Sequence, residues 1–120
     1  MRTFKNQWFA RFADKEGVSD EELKAVVGAL EEGRFDADLG GGVYKQRLAR
    51  SGGGKSGGYR AIVFFRSGER TFFHYGFAKS DRSNVSGKEL KWYKEVAKYY
   101  LALTHKQILL AIETGELIEV

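Results

Sequence analysis

Three strand-length runs, Val43 to Arg50, Tyr59 to Arg66 and Arg70 to Phe77, follow one another in the middle of the chain, each rich in β-branched and aromatic residues. Ser67, Gly68 and Glu69 make a tight link between the last two, and a Gly/Ser stretch joins the first two. This order predicts an antiparallel meander. Side chains alternate along a strand, so Lys45 and Arg47 share one face of theirs while Tyr44, Gln46 and Leu48 take the other. One face is then free to be core and the other a site.

Helical signals flank the meander. Arg2 to Phe4 reads as a short first strand, after which Asn6 caps a helix. Phe4, Trp8 and Phe12 recur there at helical spacing as a core stripe, and Gly17 marks the end. Ser19 with Glu22 forms a capping box; Leu23, Val26, Val27 and Leu30 line one face of the helix that follows, and Gly33 stops it. Asp36, Asp38 and Gly40 to Gly42 read as a plain turn-rich loop, lacking the later ligands and closing Glu of a calcium loop. Ser86 with Glu89 opens a helix running to about Leu103. Its apolar rows, Leu90/Tyr93/Ala97/Tyr100 and Trp92/Val96/Tyr99/Leu103, are wide enough to predict a helix clamped between the sheet and something else. Thr104 caps a last helix carrying Ile108, Leu109 and Ile112, and Gly115 ends it before a LIEV tail. The result is a single α+β domain over 1–120, an antiparallel sheet packed against two N-terminal helices and C-terminal helices.

A chain of 120 residues with 42% apolar residues, nine Phe, six Tyr and two Trp has the material for one aromatic-rich core. No apolar run approaches the roughly 20 residues that span a bilayer, and MRTFKNQWF lacks the apolar segment of a signal peptide. A soluble cytoplasmic protein is expected. Without cysteine there is no thiolate nucleophile or Cys-based zinc site, and the two imidazoles, His74 and His105, are not spaced as a ligand pair. Metal catalysis has little support and no cofactor is implied.

Charge is unevenly placed. Residues 1–40 carry six Lys/Arg against nine Asp/Glu, residues 41–82 nine against two, and residues 83–120 five against five. A nearly acid-free basic segment favours a polyanion, and strand-like sequence favours nucleic acid over a membrane surface.

The stretch Tyr44 to Arg60, YKQRLARSGGGKSGGYR, concentrates this charge. Ala49 to Ser56 fit a loose nucleotide-binding P-loop with Gly54-Lys55-Ser56 as its GKS. Yet strand chemistry, Tyr59-Arg60 then AIVFF, follows where a phosphate-binding helix is required, and Ala49 replaces the first glycine. The glycines read better as a hairpin loop between cationic strands. His74 and Tyr75 on the third strand are candidates for acid/base work or, for Tyr75, base stacking; structural roles are the more common ones for such positions.

Lys45-Gln46-Arg47, Gly58-Tyr59-Arg60 and Gly76-Phe77-Ala78-Lys79, in this order and spacing, resemble the RelE/HigB-type toxins of bacterial toxin-antitoxin modules, and the resemblance covers nearly the whole chain. It implies a small cytoplasmic endoribonuclease that cuts mRNA in the 30S A site of the ribosome and is neutralised by a cognate antitoxin, a helix-turn-helix protein. It places Lys45 and Arg47 on the RNA backbone, assisting deprotonation of the attacking 2′-hydroxyl, and Arg60 against the charge that builds on the scissile phosphate. Arg50, Lys55, Tyr59 and Arg82 would be further RNA contacts. Where RelE itself has a Lys-Arg pair and then a tyrosine assigned to proton transfer, this chain has Lys79-Ser80 and Ser86. Lys79 or Arg82 is then the candidate for charge stabilisation, and His74 or Tyr75 for the proton. The same fold also carries ParE-like gyrase inhibitors, and a non-catalytic nucleic-acid-binding module is a third reading; retention of Lys45, Arg47 and Arg60 favours the nuclease.

Overall fold

A computed structural model describes residues 1–48, 58–79 and 84–120. The elements run β1 (Arg2–Asn6), α1 (Gln7–Glu16), α2 (Asp20–Glu31), β2 (Ala37–Gly40), β3 (Val43–Leu48), β4 (Tyr59–Arg66), β5 (Arg70–Ala78), α3 (Gly87–Leu101), α4 (His105–Glu113) and β6 (Leu117–Glu119). Six strands form one sheet in the order β2-β3-β4-β5-β1-β6. The α+β class and the antiparallel β3-β4-β5 meander are as expected. The sheet as a whole is mixed, because β1 lies parallel to β5. Two of its strands fall where the sequence reading placed a loop and a tail. Ala37–Gly40 is β2, and Leu117–Glu119 pairs antiparallel with β1. The β2-β3 hairpin turns through Gly41 and Gly42 at φ 63° and 82°. Positive φ at both central residues is what a two-residue hairpin turn with the right twist demands, and glycine supplies it without a Cβ clash.

Caps fix the helices where the sequence placed them. Asn6 accepts from the Phe9 amide at 2.7 Å and Ser19 from Glu22 at 3.2 Å. Ser86 and Glu89 form a reciprocal capping box, as do Thr104 and Gln107. Each satisfies amide donors that a helix start leaves unpaired.

Helices cover both faces of the sheet. On one, α1 and α2 pack Phe9, Ala13, Leu23, Val26, Val27 and Leu30 onto Leu48, Tyr59, Ala61, Val63, Phe65 and Phe73. On the other, Tyr93, Ala97, Leu101, Ile108 and Ala111 of α3 and α4 pack onto Phe4, Val43, Ile62, Phe64 and Phe72. From Tyr59 to Phe65 every residue of β4 is buried, as befits a strand with a core on each side. An open basic face across the sheet is therefore ruled out. The α1 stripe also sits differently from the expected spacing. Phe4 belongs to β1, Phe9 and Ala13 are the buried helix positions, and Phe12 lies over Gly76, where a Cβ would meet its ring at 2.4 Å. Trp8 is an exposed position whose ring stacks on Tyr75 at 4.5 Å. On α3, Tyr93, Ala97 and Leu101 face the sheet, while Trp92 and Tyr99 are 62% and 59% exposed with no element packed over them among the described residues.

Candidate functional site

Residues opposite one another across an antiparallel ladder share a face. On the α3/α4 face the register stacks three rows toward one end of the sheet: Val43 beside Phe64 and Phe72, then Lys45 beside Ile62 and Tyr75, then Arg47 beside Arg60 and Phe77. Rows two residues apart are about 7 Å apart along the strand. The face thus changes within two steps from core to cations. The basic site occupies the end of a face whose remainder is buried by α3 and α4.

Asp36 ties this end together. One of its carboxylate oxygens, Oδ2, stands 3.2 Å from Arg60 Nε and 3.5 Å from Lys45 Nζ. Arg60 Nη1 donates to the Tyr59 carbonyl at 3.3 Å. The Arg60 side chain is 6% exposed, Lys45 16% and Asp36 28%, while Arg47 is an exposed position. Arg60 is a desolvated cation beside a carboxylate, and its field is screened less than that of a surface charge. Gln46, between the two β3 cations, points to the opposite side as expected and is buried. Its Oε1 accepts from the Asp36 amide and its Nε2 donates to the Arg34 carbonyl, both at 3.0 Å. Beyond it, Phe35, Asp36, Gln46, Arg47 and residues of α2 line a groove of about 520 Å³. Phe35 is exposed there with its ring edge-on to Tyr44 at 5.3 Å.

The other candidates are dispersed. Lys79 is exposed just past the end of β5, and its amide donates to the Gly58 carbonyl at 3.1 Å, which carries the ladder one step beyond the strand. Tyr59 lies on the opposite face from Arg60, buried, edge-on to Phe12 at 5.6 Å and donating its hydroxyl to Glu16. It is a core tyrosine, with its polar end satisfied. His74 sits where the β4-β5 register shifts, stacked on Phe64 at 4.9 Å and edge-on to Tyr93 at 5.7 Å. Asn6 uses its oxygen to cap α1 and so presents Nδ2 to the His74 carbonyl at 3.0 Å and to Nδ1 at 3.3 Å. Nδ1 therefore accepts, which puts the ring proton on Nε2. Burial pushes the imidazole below the ordinary histidine range. Tyr75 is held against Trp8 and, at 6.2 Å, Phe77. Arg50, Lys55 and Arg82, and with them the GKS of the P-loop reading, lie outside the described residues.

The family model described as the RelE toxin of the RelE/RelB toxin-antitoxin system matches residues 1–120. The chain belongs to the RelE toxin family. A comparison with curated proteins finds no match. As a RelE toxin it is one half of a toxin-antitoxin pair, with a cognate antitoxin as its partner. No described helix of this RelE protein is long and apolar enough to cross a membrane. Sequence reasoning missed Asp36, which it left in a loop, and the structural work of Gln46. Neither carries a signal in the sequence, since one is an acid ahead of the basic segment and the other a polar residue between cations.

Proposed function

We propose that this RelE toxin is a cytoplasmic, metal-independent endoribonuclease that cuts mRNA on the ribosome and so stops translation. The observation that supports the reading best is the cluster of cations on one face near the end of the sheet, Lys45 and Arg47 on β3 with Arg60 of β4 opposite Arg47. In the reaction the 2′-oxygen bonds to the neighbouring phosphorus and the bond to the 5′-oxygen breaks. This leaves a 2′,3′-cyclic phosphate and a free 5′-hydroxyl, with one proton lost from the 2′-oxygen and one gained by the 5′-oxygen. Such a reaction needs positioning, proton transfer and stabilisation of added negative charge, and Lys and Arg supply all three. Exposed Arg47 and largely covered Lys45 grip the backbone and assist removal of the 2′-proton; Arg60, from a desolvated position, stabilises charge on the phosphorus oxygens; Lys79 at the rim adds to it. His74 takes no part in proton transfer, because its ring is packed between Phe64 and Tyr93 roughly 10 Å along the strand from Arg60. The cognate antitoxin is a helix-turn-helix protein, and the adjacent reading frame would show it.

Expression of wild type and Arg60→Ala in cells tests this. Wild type should arrest growth and produce mRNA cuts in register with the reading frame, and Arg60→Ala should cut about 10²-fold more slowly or less. Growth arrest with intact mRNA, blocked gyrase supercoiling and indifference to Arg60→Ala would instead establish the gyrase inhibitor. RNA binding without cuts would establish a binding module.

A further inference from the structure

We infer that Asp36 is a positioning residue of the proposed cleavage, an inference that rests on the nuclease reading. Asp36 lies on neither catalytic strand, yet its carboxylate faces cations from both, Lys45 of β3 and Arg60 of β4, at 3.5 and 3.2 Å. Its own backbone is fixed from the other side of the sheet. Gln46 accepts from the Asp36 amide and donates to the carbonyl of Arg34, so the three residues leading into β2 are tied at both ends to the residue between Lys45 and Arg47. The Lys-Gln-Arg triplet therefore presents its two cations on one face and, through Gln46, holds on the other the backbone of the acid that orients them. Nε donates to Asp36 and Nη1 to the Tyr59 carbonyl, and these two bonds define the plane of the Arg60 guanidinium. A planar guanidinium stabilises a phosphate only from a limited set of orientations.

A site built for grip alone would exclude this acid. A carboxylate among the cations repels the phosphate they attract, so Asp36 weakens ground-state binding. The compensation is geometric. Orientation is expressed in the transition state, and an error of about 1 Å in a catalytic group costs as much as roughly 10²-fold in rate. Asp36 thus acts on binding and on rate with opposite signs. A residue that merely supports the fold would lower both together.

Asp36→Asn and Asp36→Glu, with Asp36→Ala as the harsher variant, separate these. The readouts are affinity for ribosome-bound mRNA carrying a 2′-O-methyl group at the cut site, single-turnover cleavage of the unmodified message, and thermal midpoint. Asp36→Asn should bind about threefold more tightly, the effect of removing one unit charge about 7 Å from a phosphate in water. It should cut on the order of 10²-fold more slowly, at a midpoint that leaves the protein fully folded. Asp36→Glu, which keeps the charge, should recover part of the rate and the wild-type affinity. Unchanged cleavage by Asp36→Asn overturns the inference and leaves the nuclease reading standing. Affinity and rate falling together in all three variants, in step with the midpoint, also overturns it in favour of a fold-supporting ion pair. Wild type that binds the message and does not cut it removes the nuclease reading and this inference with it.

Discussion

His74 bears on stability rather than on the proposed cleavage. The cap that starts α1 dictates which end of the Asn6 amide meets the imidazole, so a local helix signal sets the ring's tautomer 68 residues further along the chain. With its value lowered by burial, the folded protein binds this proton less readily than the unfolded chain does. Stability therefore rises with pH where the unfolded state holds more protons. The contribution of His74 is fully present above about pH 6.5, the unfolded value, and is lost as pH falls below it. Urea unfolding at pH 7.5 and pH 5.5 should show wild type losing more stability over that interval than His74→Phe, which keeps a ring to stack on Phe64. Equal losses in the two proteins would refute the assignment. The residue types of the site were legible in sequence, and the alternation of Lys45, Gln46 and Arg47 across β3 followed from strand periodicity. Tyr59 and Arg60 alternate in the same way on β4, but which of the two faced the cations depended on the β3-β4 register, and that is a long-range pairing.

At the scale of elements, caps proved more readable than stripes. Asn6, Ser19, Ser86 and Thr104 all cap the helices they precede, because a cap is a contact between residues three apart and needs nothing from the rest of the fold. Replacing Ser86 by Ala should lower stability by about 1 kcal/mol, while Ser86→Gly should cost only a few tenths. Thermal midpoints in that order test the cap, and equal midpoints for the two variants would show that the hydroxyl contributes nothing. The aromatic stripes were harder. Phe4, Trp8 and Phe12 have helical spacing, yet one is a strand residue and another stacks outside the core. The breadth of the apolar surface on α3 suggested cover on two sides, and the structure supplies it on one, leaving Trp92 and Tyr99 exposed. Periodicity reports that a face is apolar; what covers it is a tertiary matter.

The whole molecule is a sheet between two helical layers, with one core cluster on each side. Both clusters rest on β4 and β5, so the layers should unfold together despite sharing no side chain. Leu23→Ala on the α2 side and Ile108→Ala on the α4 side each empty a fully buried position. Each should cost about 2–5 kcal/mol, and the double variant should add the two losses to within roughly 0.5 kcal/mol. Every variant should retain one cooperative urea transition, and a second transition in either would show that the sheet does not couple the layers. This two-sided architecture also confines the site. With helices over both faces, the proposed contact with RNA falls to the end of the sheet, where Arg47 and Arg60 pair one rung before Leu48 and Tyr59, the last described pair of β3 and β4.

Composition, charge placement, turn chemistry and helix caps, all properties of neighbouring residues, determined from the sequence alone an α+β domain with an antiparallel meander, its helix starts and a basic central segment; the order of three short motifs added the family. Tertiary structure decided the rest. It set β1 parallel to β5, made a strand of Ala37–Gly40, turned Tyr59 into the core, packed a half-buried His74 on Phe64, and brought Asp36 to Lys45 and Arg60. Each of these depends on which distant segments lie side by side, and that is set by the sum of many weak contacts across the whole core, a quantity that no local run of residues contains.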